Sequence, residues 1–205
     1  MALIKTAGEI EMLKEGGVLL SGILRKVASA CKSGVTTESL DALAREEFER
    51  VGGTPSFLNY QISPEDPPYP SALCISINEE VVHGPATPDR KIADGDIVGL
   101  DIGMWYKDLA TDMATTVIVG DVTSEVRALV VDTRESLVRA LSVVKAGALV
   151  GDIGATIEDF LLPKKYGIVR DLVGHGVGHA IHEDPQIPNF RDPRTPRTVL
   201  KEGMV

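Results

Sequence analysis

The chain has 205 residues, 43% hydrophobic and 25% charged, which is typical of a soluble globular protein with one or two domains. The net charge of −9 argues against nucleic acid or an anionic membrane as the main partner. Two cysteines, Cys31 and Cys74, do not make a disulfide framework, and no apolar run approaches the ~20 residues of a membrane span. The N-terminus becomes charged too early for a secretory signal, so we expect a cytoplasmic protein.

The first fifty residues predict two amphipathic helices. Thr6 and Glu9 form a capping-box signature ahead of apolar residues at helical spacing, which predicts a long helix to about Lys32. A second helix is expected from Thr37 until the Gly52-Gly53 pair. Both helices are interpreted as scaffold.

Residues 54–72 contain five prolines and predict an irregular loop. This loop either is pinned to the core by its aromatic side chains, the favoured reading, or lines a pocket with them: Phe57, Tyr60 and Tyr69. A short buried strand is expected at 73–77. Residues 78–85 predict a turn and a strand that deliver His83, which is either structural or exposed beside Gly84-Pro85.

Residues 97–119 predict an antiparallel hairpin with one carboxylate in each strand. If the loop lies at Tyr106 and Lys107, Asp101 and Asp112 face each other directly. Two facing carboxylates repel, so such a pair needs a shared proton or cations between them. The alternative is a solvated hairpin with two surface acids.

The second half repeats this order of elements. A helix is expected from Thr123 or Ser124 to Lys145, with an apolar side made of Val126, Leu129, Val130, Leu137, Leu141 and Val144. A shorter helix capped by Asp152 follows. Adding 113 to Lys32, Gly34, Leu40 and Ala42 gives Lys145, Gly147, Ile153 and Ala155. The repeat favours an internal duplication in one α+β domain, with halves of about 1–120 and 121–205, a central antiparallel sheet and outer helices.

Three of the four histidines, His175, His179 and His182, are interleaved with glycines in residues 169–190. Imidazoles together with carboxylates suit divalent transition metals. His175 and His182 are seven residues apart and would face opposite ways in a straight strand, so a common site requires a bend or bulge. A histidine-rich surface hairpin is the alternative.

These motifs, DIG with TD, then GHGVGHAIHEDP, preceded by INEEVVHG, together resemble type I methionine aminopeptidase. That enzyme belongs to the pita-bread metallopeptidases (M24-like), whose two related αβ halves match the duplication. The resemblance runs from the first helix to the last residue. It implies removal of the N-terminal methionine from nascent polypeptides, through attack of a metal-bound water on the first peptide bond.

The resemblance also implies roles for individual residues. Asp101, Asp112 and His175 would bind two divalent metal ions (Co, Mn, Fe or Zn), and Asp112 would bridge them. His83 and His182 would position the substrate. The methionine pocket would draw on Phe57, Tyr60, Tyr69, Cys74 and Ile181. His179 has no ligand role in this pattern. A monomer with transient ribosome proximity is expected, without nucleic-acid specificity or membrane attachment.

The pattern departs from the family at the end of the chain. The resemblance implies two further glutamate ligands after the Glu202-Gly203-Met204-Val205 stretch, where this sequence stops. We therefore expect reduced metal occupancy, little or no hydrolysis by these residues alone, and missing last strands. A truncated stretch of an active enzyme is favoured over a catalytically inactive member that binds peptides or a partner. An Xaa-Pro peptidase of the same fold is a further alternative.

Overall fold

The computed structural model describes residues 3–205, which form two compact units. One unit contains residues 11–123, and the other contains residues 124–205 together with residues up to Ile10. None of the helices in the described part of the chain combines the length and apolarity that crossing a bilayer requires.

The unit of residues 11–123 is built on one long strand. Its elements, in chain order, are α1 (Ala7–Ala30, which begins before residue 11), α2 (Thr37–Val51), β1 (Thr54–Pro55), β2 (Leu73–Ile77), β3 (Ile97–Tyr106) and β4 (Leu109–Ile118). Strand β3 pairs with β4 along one edge and with β1 and β2 along the other, always antiparallel. The three pairings therefore fix which residues of β1, β2 and β4 lie beside each residue of β3.

The helices α1 and α2 form as the sequence predicts. Thr6 and Glu9 make the expected capping box: the Thr6 backbone N–H donates to Glu9 Oε2 at 2.7 Å, and the Glu9 N–H donates to Thr6 Oγ1 at 3.3 Å. Gly52 ends α2 with φ 72°, a left-handed conformation that favours glycine.

Alternation along β3 separates a core face from a polar face. Val98, Leu100, Ile102 and Met104 are fully buried, and they pack with α1 and α2 residues that include Leu20, Ile23 and Phe48. The opposite face carries Gly99, Asp101 and Gly103. The core thus holds β3 so that Asp101 points away from the helices.

Cys31, directly after α1, is expected to resist thiol reagents. It is buried, and burial, together with the negative charge of Asp96, raises its pKa to about 11. Because the thiolate is the reactive form, little of it exists at pH 8 in the folded chain. We expect slow labelling of the native protein by a chromogenic disulfide reagent and rapid labelling of both cysteines in denaturant. Fast labelling of Cys31 in the native protein at pH 8 would contradict its burial.

The unit of residues 124–205 consists of two helices and a short hairpin. Its elements are α3 (Ser124–Val143), α4 (Val150–Leu161), a 3₁₀ turn (Leu162–Lys164), β5 (Gly174–Gly176) and β6 (Glu183–Ile187). Asp152 lies in the first turn of α4, where its Oδ2 accepts from the Leu149 N–H at 2.8 Å. Strands β5 and β6 form a second antiparallel sheet.

The buried side of α3 differs from the apolar side expected from the sequence. Leu137 and Leu141 are 55% and 60% exposed, whereas Ser136 and Ala140 are buried. Ala140 packs with Ile157 and Leu161 of α4. Small residues let two helices approach closely, so hydrophobic spacing alone was wrong for Leu137 and Leu141, although Val126 and Val130 are partly buried as expected.

Candidate metal centre and its surroundings

Asp101 and Asp112 lie on the same face of the β3–β4 hairpin, but not directly opposite each other. Asp101 pairs with Ala114, and Asp112 pairs with Gly103. The expected direct opposition is wrong because the turn is Lys107-Asp108, with φ of 50° and 62°, one residue later than expected. The two acids are instead diagonal neighbours, within reach of each other, and their carboxyl groups are in hydrogen-bonding contact.

The acid pair has the charge environment of a cation or proton site. Burial raises the pKa of Asp101 to about 7, and the neighbouring charge and hydrogen bond of Asp112 add to the rise. A hydrogen bond between two carboxyl groups requires a proton on one of them. Divalent cations stabilise such a pair because their charge replaces that proton. Carboxylate oxygens are also ligands that hard divalent ions accept. The donor chemistry therefore fits a metal.

A buried thiol lies beside this acid pair. Cys74 of β2 is the register partner of Asp101 across the other edge of β3. Burial raises the pKa of Cys74 to about 12, despite a hydrogen bond with Tyr69 that lowers it. The Tyr69 hydroxyl also lies 2.9 Å from the Gly84 carbonyl and 3.1 Å from that of Leu73. Cys74 and Tyr69 thus form an apolar and sulfur-containing wall next to the two acids.

His83 reaches this cluster through its backbone. The strand expected around it is absent from the described structure: His83 lies in a loop, with φ 59°. Its backbone N–H donates to the Cys74 thiol. The following Gly84 accepts from the Ile75 N–H at 2.7 Å, and a Cβ at Gly84 would meet the Ile75 carbonyl oxygen at 2.1 Å. Only glycine fits there, so the backbone of this loop can approach β2 closely.

The proline-rich loop is folded back on itself. The Asn59 N–H donates to the Tyr69 carbonyl at 2.8 Å, and the Tyr69 N–H donates to the Tyr60 carbonyl at 2.9 Å. Phe57 and Tyr60 are half-buried. This backbone pairing holds the start and end of the loop together, and it places the backbones of Tyr60 and Tyr69 side by side.

The glycine-rich histidine segment bends as a shared site requires. A register shift between His175 and Gly176 interrupts the β5–β6 pairing, and residues 177–182 have no regular structure. The rings of His175 and His182 consequently meet edge to face, with 4.5 Å between their centroids. His175 Nδ1 lies 2.9 Å from the Gly176 carbonyl oxygen, and because a carbonyl oxygen only accepts, this contact requires a proton on Nδ1. Ile181, which directly precedes His182 in the sequence, is buried.

Several charged residues around these elements were missed by sequence reasoning. Asp41 of α2 is buried and accepts from the N–H groups of Ala72 and Leu73, at 2.7 and 2.9 Å, at the start of β2. Lys5 and Glu183 form a buried ion pair of 2.5 Å. No sequence pattern signals either contact, because the partners are 31, 32 and 178 positions apart.

The structure thus brings Asp101 together with Asp112, and His175 together with His182. Among residues 3–205, no group of three or more His, Cys, Asp or Glu side chains is arranged to hold a metal ion. The ligand set of Asp101, Asp112 and His175 therefore stays a prediction.

Comparison with known proteins gives a consistent result. The profile of metallopeptidase family M24 matches residues 11–205. A methionine aminopeptidase of Aquifex aeolicus is 40% identical over 200 residues, which cover 96% of this chain and 77% of that protein. The crystal structure of methionine aminopeptidase from Thermotoga maritima matches with a TM-score of 0.92 and 38% identity, over 100% of this chain and 79% of that one. An Xaa-Pro dipeptidase from Bacillus anthracis matches with a TM-score of 0.80 and 26% identity, over 98% and 52% of the two chains.

The chain has the pita-bread metallopeptidase fold, and it belongs to metallopeptidase family M24. Within that family its high-coverage relatives are methionine aminopeptidases, which confirms the resemblance seen in the motifs. The α+β fold class is confirmed by the same neighbours.

Proposed function

We propose that this protein removes the N-terminal methionine from nascent polypeptides in a metal-dependent reaction. The observation that carries the proposal is the contacting pair Asp101 and Asp112, with its raised Asp101 pKa, next to the Cys74–Tyr69 wall. Relatives of 34–40% identity that carry the name methionine aminopeptidase support the substrate class.

The residues that would hold the divalent metal ions are proposed to be Asp101, Asp112 and His175. When bound, divalent ions lower the pKa of water and polarise the scissile carbonyl group. The protein contributes an acid pair held by the β3–β4 register, and an imidazole whose ring is oriented by the contact of Nδ1 with the Gly176 carbonyl. Co, Mn, Fe and Zn all suit this mixed oxygen and nitrogen donor set.

Two histidines are proposed to orient the substrate. The His83 backbone is fixed on Cys74, which is the register partner of Asp101, so its imidazole starts from a defined position near the acid pair. The His182 ring is in contact with the His175 ring. An imidazole that donates or accepts at a peptide carbonyl or amine can hold that group without exchanging a proton.

The pocket for the methionine side chain is proposed to use Phe57, Tyr60, Tyr69, Cys74 and Ile181. Cys74 and Ile181 are buried, and the three aromatic residues are half-buried. A thioether packs well against aromatic rings and sulfur, which supports methionine over a charged first residue. The same contacts are compatible with the aromatic residues pinning the loop, so only substrate preference separates the two roles.

The remaining expectations are part of the proposal. We propose a monomeric cytoplasmic protein that meets its substrates near the ribosome.

A substrate comparison tests the proposed activity. The natural gene product, loaded with Mn or Co, is given Met-Ala-Ser and Ala-Pro peptides, and released amino acids are quantified. We expect methionine release that stops when a chelator removes the metal. Cleavage of Ala-Pro instead would assign an Xaa-Pro peptidase activity, the chemistry named for the Bacillus anthracis protein. If neither peptide is cleaved with or without metal, but both are still bound, the protein is a peptide-binding protein.

A further inference from the structure

A group of four charged or ionisable residues lies next to the histidine pair: Lys5, Glu9, His179 and Glu183. The Lys5 ammonium pairs with Glu183 Oε2 at 2.5 Å, and the Lys5 side chain is fully buried. His179 Nε2 lies 2.6 Å from Glu9 Oε1. The first contact joins the N-terminal segment to the start of β6, and the second joins it to the connection between β5 and β6. We call these four residues the brace.

Glu183 connects the brace to the backbone of the bend. Its Oε1 accepts from the Ala180 N–H at 2.9 Å, while Oε2 accepts from Lys5. Burial alone would raise the pKa of Glu183, but the hydrogen bonds from Lys5 and the backbone outweigh burial and lower it. Glu183 is therefore an anion that holds both the N-terminal segment and the residue two positions before His182.

Lys5 also fills space that the bend leaves open. Gly178 has φ 145°, and a Cβ at that position would lie 2.3 Å from Lys5 Cε. The aliphatic part of Lys5 thus packs directly on the Gly178 backbone. His179 donates from Nε2 because a carboxylate only accepts, and its buried Nδ1 lies 3.8 Å from Glu183 Oε1.

The hairpin by itself leaves the bend weakly determined. Strands β5 and β6 have three and five residues, and their pairing is shifted at His175. Residues 177–182 have no regular structure, so ladder hydrogen bonds do not fix where His182 points. Contacts from outside the hairpin must do so, and the brace supplies two.

We propose that Lys5, Glu9, His179 and Glu183 are positioning residues that hold the imidazoles of His175 and His182 in contact. The consequence for catalysis rests on the proposed function, in which His175 binds metal and His182 orients substrate. The contact between the His175 and His182 rings does not rest on the proposed function, because it is a property of the metal-free chain.

The test uses the fact that a buried ion pair contributes little net stability compared with an apolar pair. The double variant Lys5→Met/Glu183→Leu is expected to fold with a Tm near that of the parent, yet to lose the acceptor for the Ala180 N–H. The nuclear Overhauser effect between the His175 and His182 ring protons, measured in metal-free protein, is expected to fall by at least half. The chain has only four histidines, so these signals can be assigned by substitution.

A milder variant and a matched control complete the design. Glu183→Gln keeps a side-chain acceptor for the Ala180 N–H but loses the negative charge. We therefore expect its His175–His182 nuclear Overhauser effect to lie between those of the parent and the double variant. Glu158→Gln removes another buried carboxylate of the same unit, one that pairs with Arg170 and Arg191, and we expect a lower Tm with an unchanged His175–His182 signal. An unchanged ring contact in both the double variant and Glu183→Gln would overturn the proposal.

Kinetics separate the brace from the proposed activity. In metal-loaded protein the double variant is expected to lower kcat by about 10–100-fold, as for residues that orient metal-bound histidines, with a smaller change in KM. A parent that releases no methionine, combined with loss of the ring contact in the variants, would reject the proposed function and keep the brace. A full kcat in the double variant would reject the positioning role.

Discussion

Replacing Asp112 with asparagine is expected to lower metal-dependent methionine release by at least about 100-fold, since altering residues that merely support metal ligands already costs 10–100-fold. The amide is nearly the same size as the carboxylate, so the β4 strand should still form. What changes is the charge: one of two contacting acids becomes neutral, and the pair no longer attracts a divalent ion.

Asp108→Asn is the matched control for this substitution. Asp108 is an exposed residue in the turn of the same hairpin, with φ 62°, a conformation that asparagine tolerates. Both variants lose one carboxylate from the β3–β4 hairpin, but only Asp112 contacts Asp101. Metal content by elemental analysis and rates on Met-Ala-Ser are measured for both. Full metal content and normal rates in Asp112→Asn would remove Asp112 from the ligand set.

Replacing Asp41 with alanine is expected to destabilise the protein by about 3 kcal/mol, because two buried backbone N–H groups lose their acceptor at ~1–3 kcal/mol each. Those groups belong to Ala72 and Leu73, at the start of β2. Asp41 also accepts from Arg45 at 2.7 Å, but Arg45 is 40% exposed and can return to water. Chemical unfolding measures the change in the free energy of unfolding.

Asp41→Asn provides the graded comparison. Its side-chain oxygen can still accept from both backbone groups, so we expect a loss of about 1 kcal/mol, comparable to one ordinary hydrogen bond. Equal losses in the alanine and asparagine variants would mean that charge, and not hydrogen bonding to β2, is the contribution of Asp41. The Cys74 thiol, next to Leu73, should become more reactive in the alanine variant, since β2 positions it.

Local signals in the sequence were sufficient for the helices and for strands β2, β3 and β4. The Thr6 and Glu9 capping box and the Gly52 terminus act within a few residues, so they can be recognised without knowing the fold. The core face of β3 was also predictable, because alternation along one strand depends only on its own residues. The buried side of α3 was not, since it depends on how closely α4 approaches.

The site was predictable in composition and less so in geometry. Asp101 and Asp112 were identified, but the turn at Lys107-Asp108 puts two non-glycine residues in the left-handed region, and this choice carries only a weak sequence signal. A bend or bulge between His175 and His182 was recognised as a requirement for a common site, and the structure shows it at His175. The contacts of Lys5 and Glu9 carry no sequence signal, because 178 and 170 positions separate these residues from their partners.

The two-residue turn between β3 and β4 makes the acid pair sensitive to loop length, and its two positive φ angles restrict which residues fit the turn. Strand side chains alternate between faces, so one inserted residue would move Asp112 from the polar side of the hairpin to the side packed by the helices. An unpaired carboxylate there would lack both its neighbour and solvent. Asparagine or glycine in place of Lys107 or Asp108 should therefore preserve the acid pair, whereas a change in the number of residues that connect the strands should disrupt it.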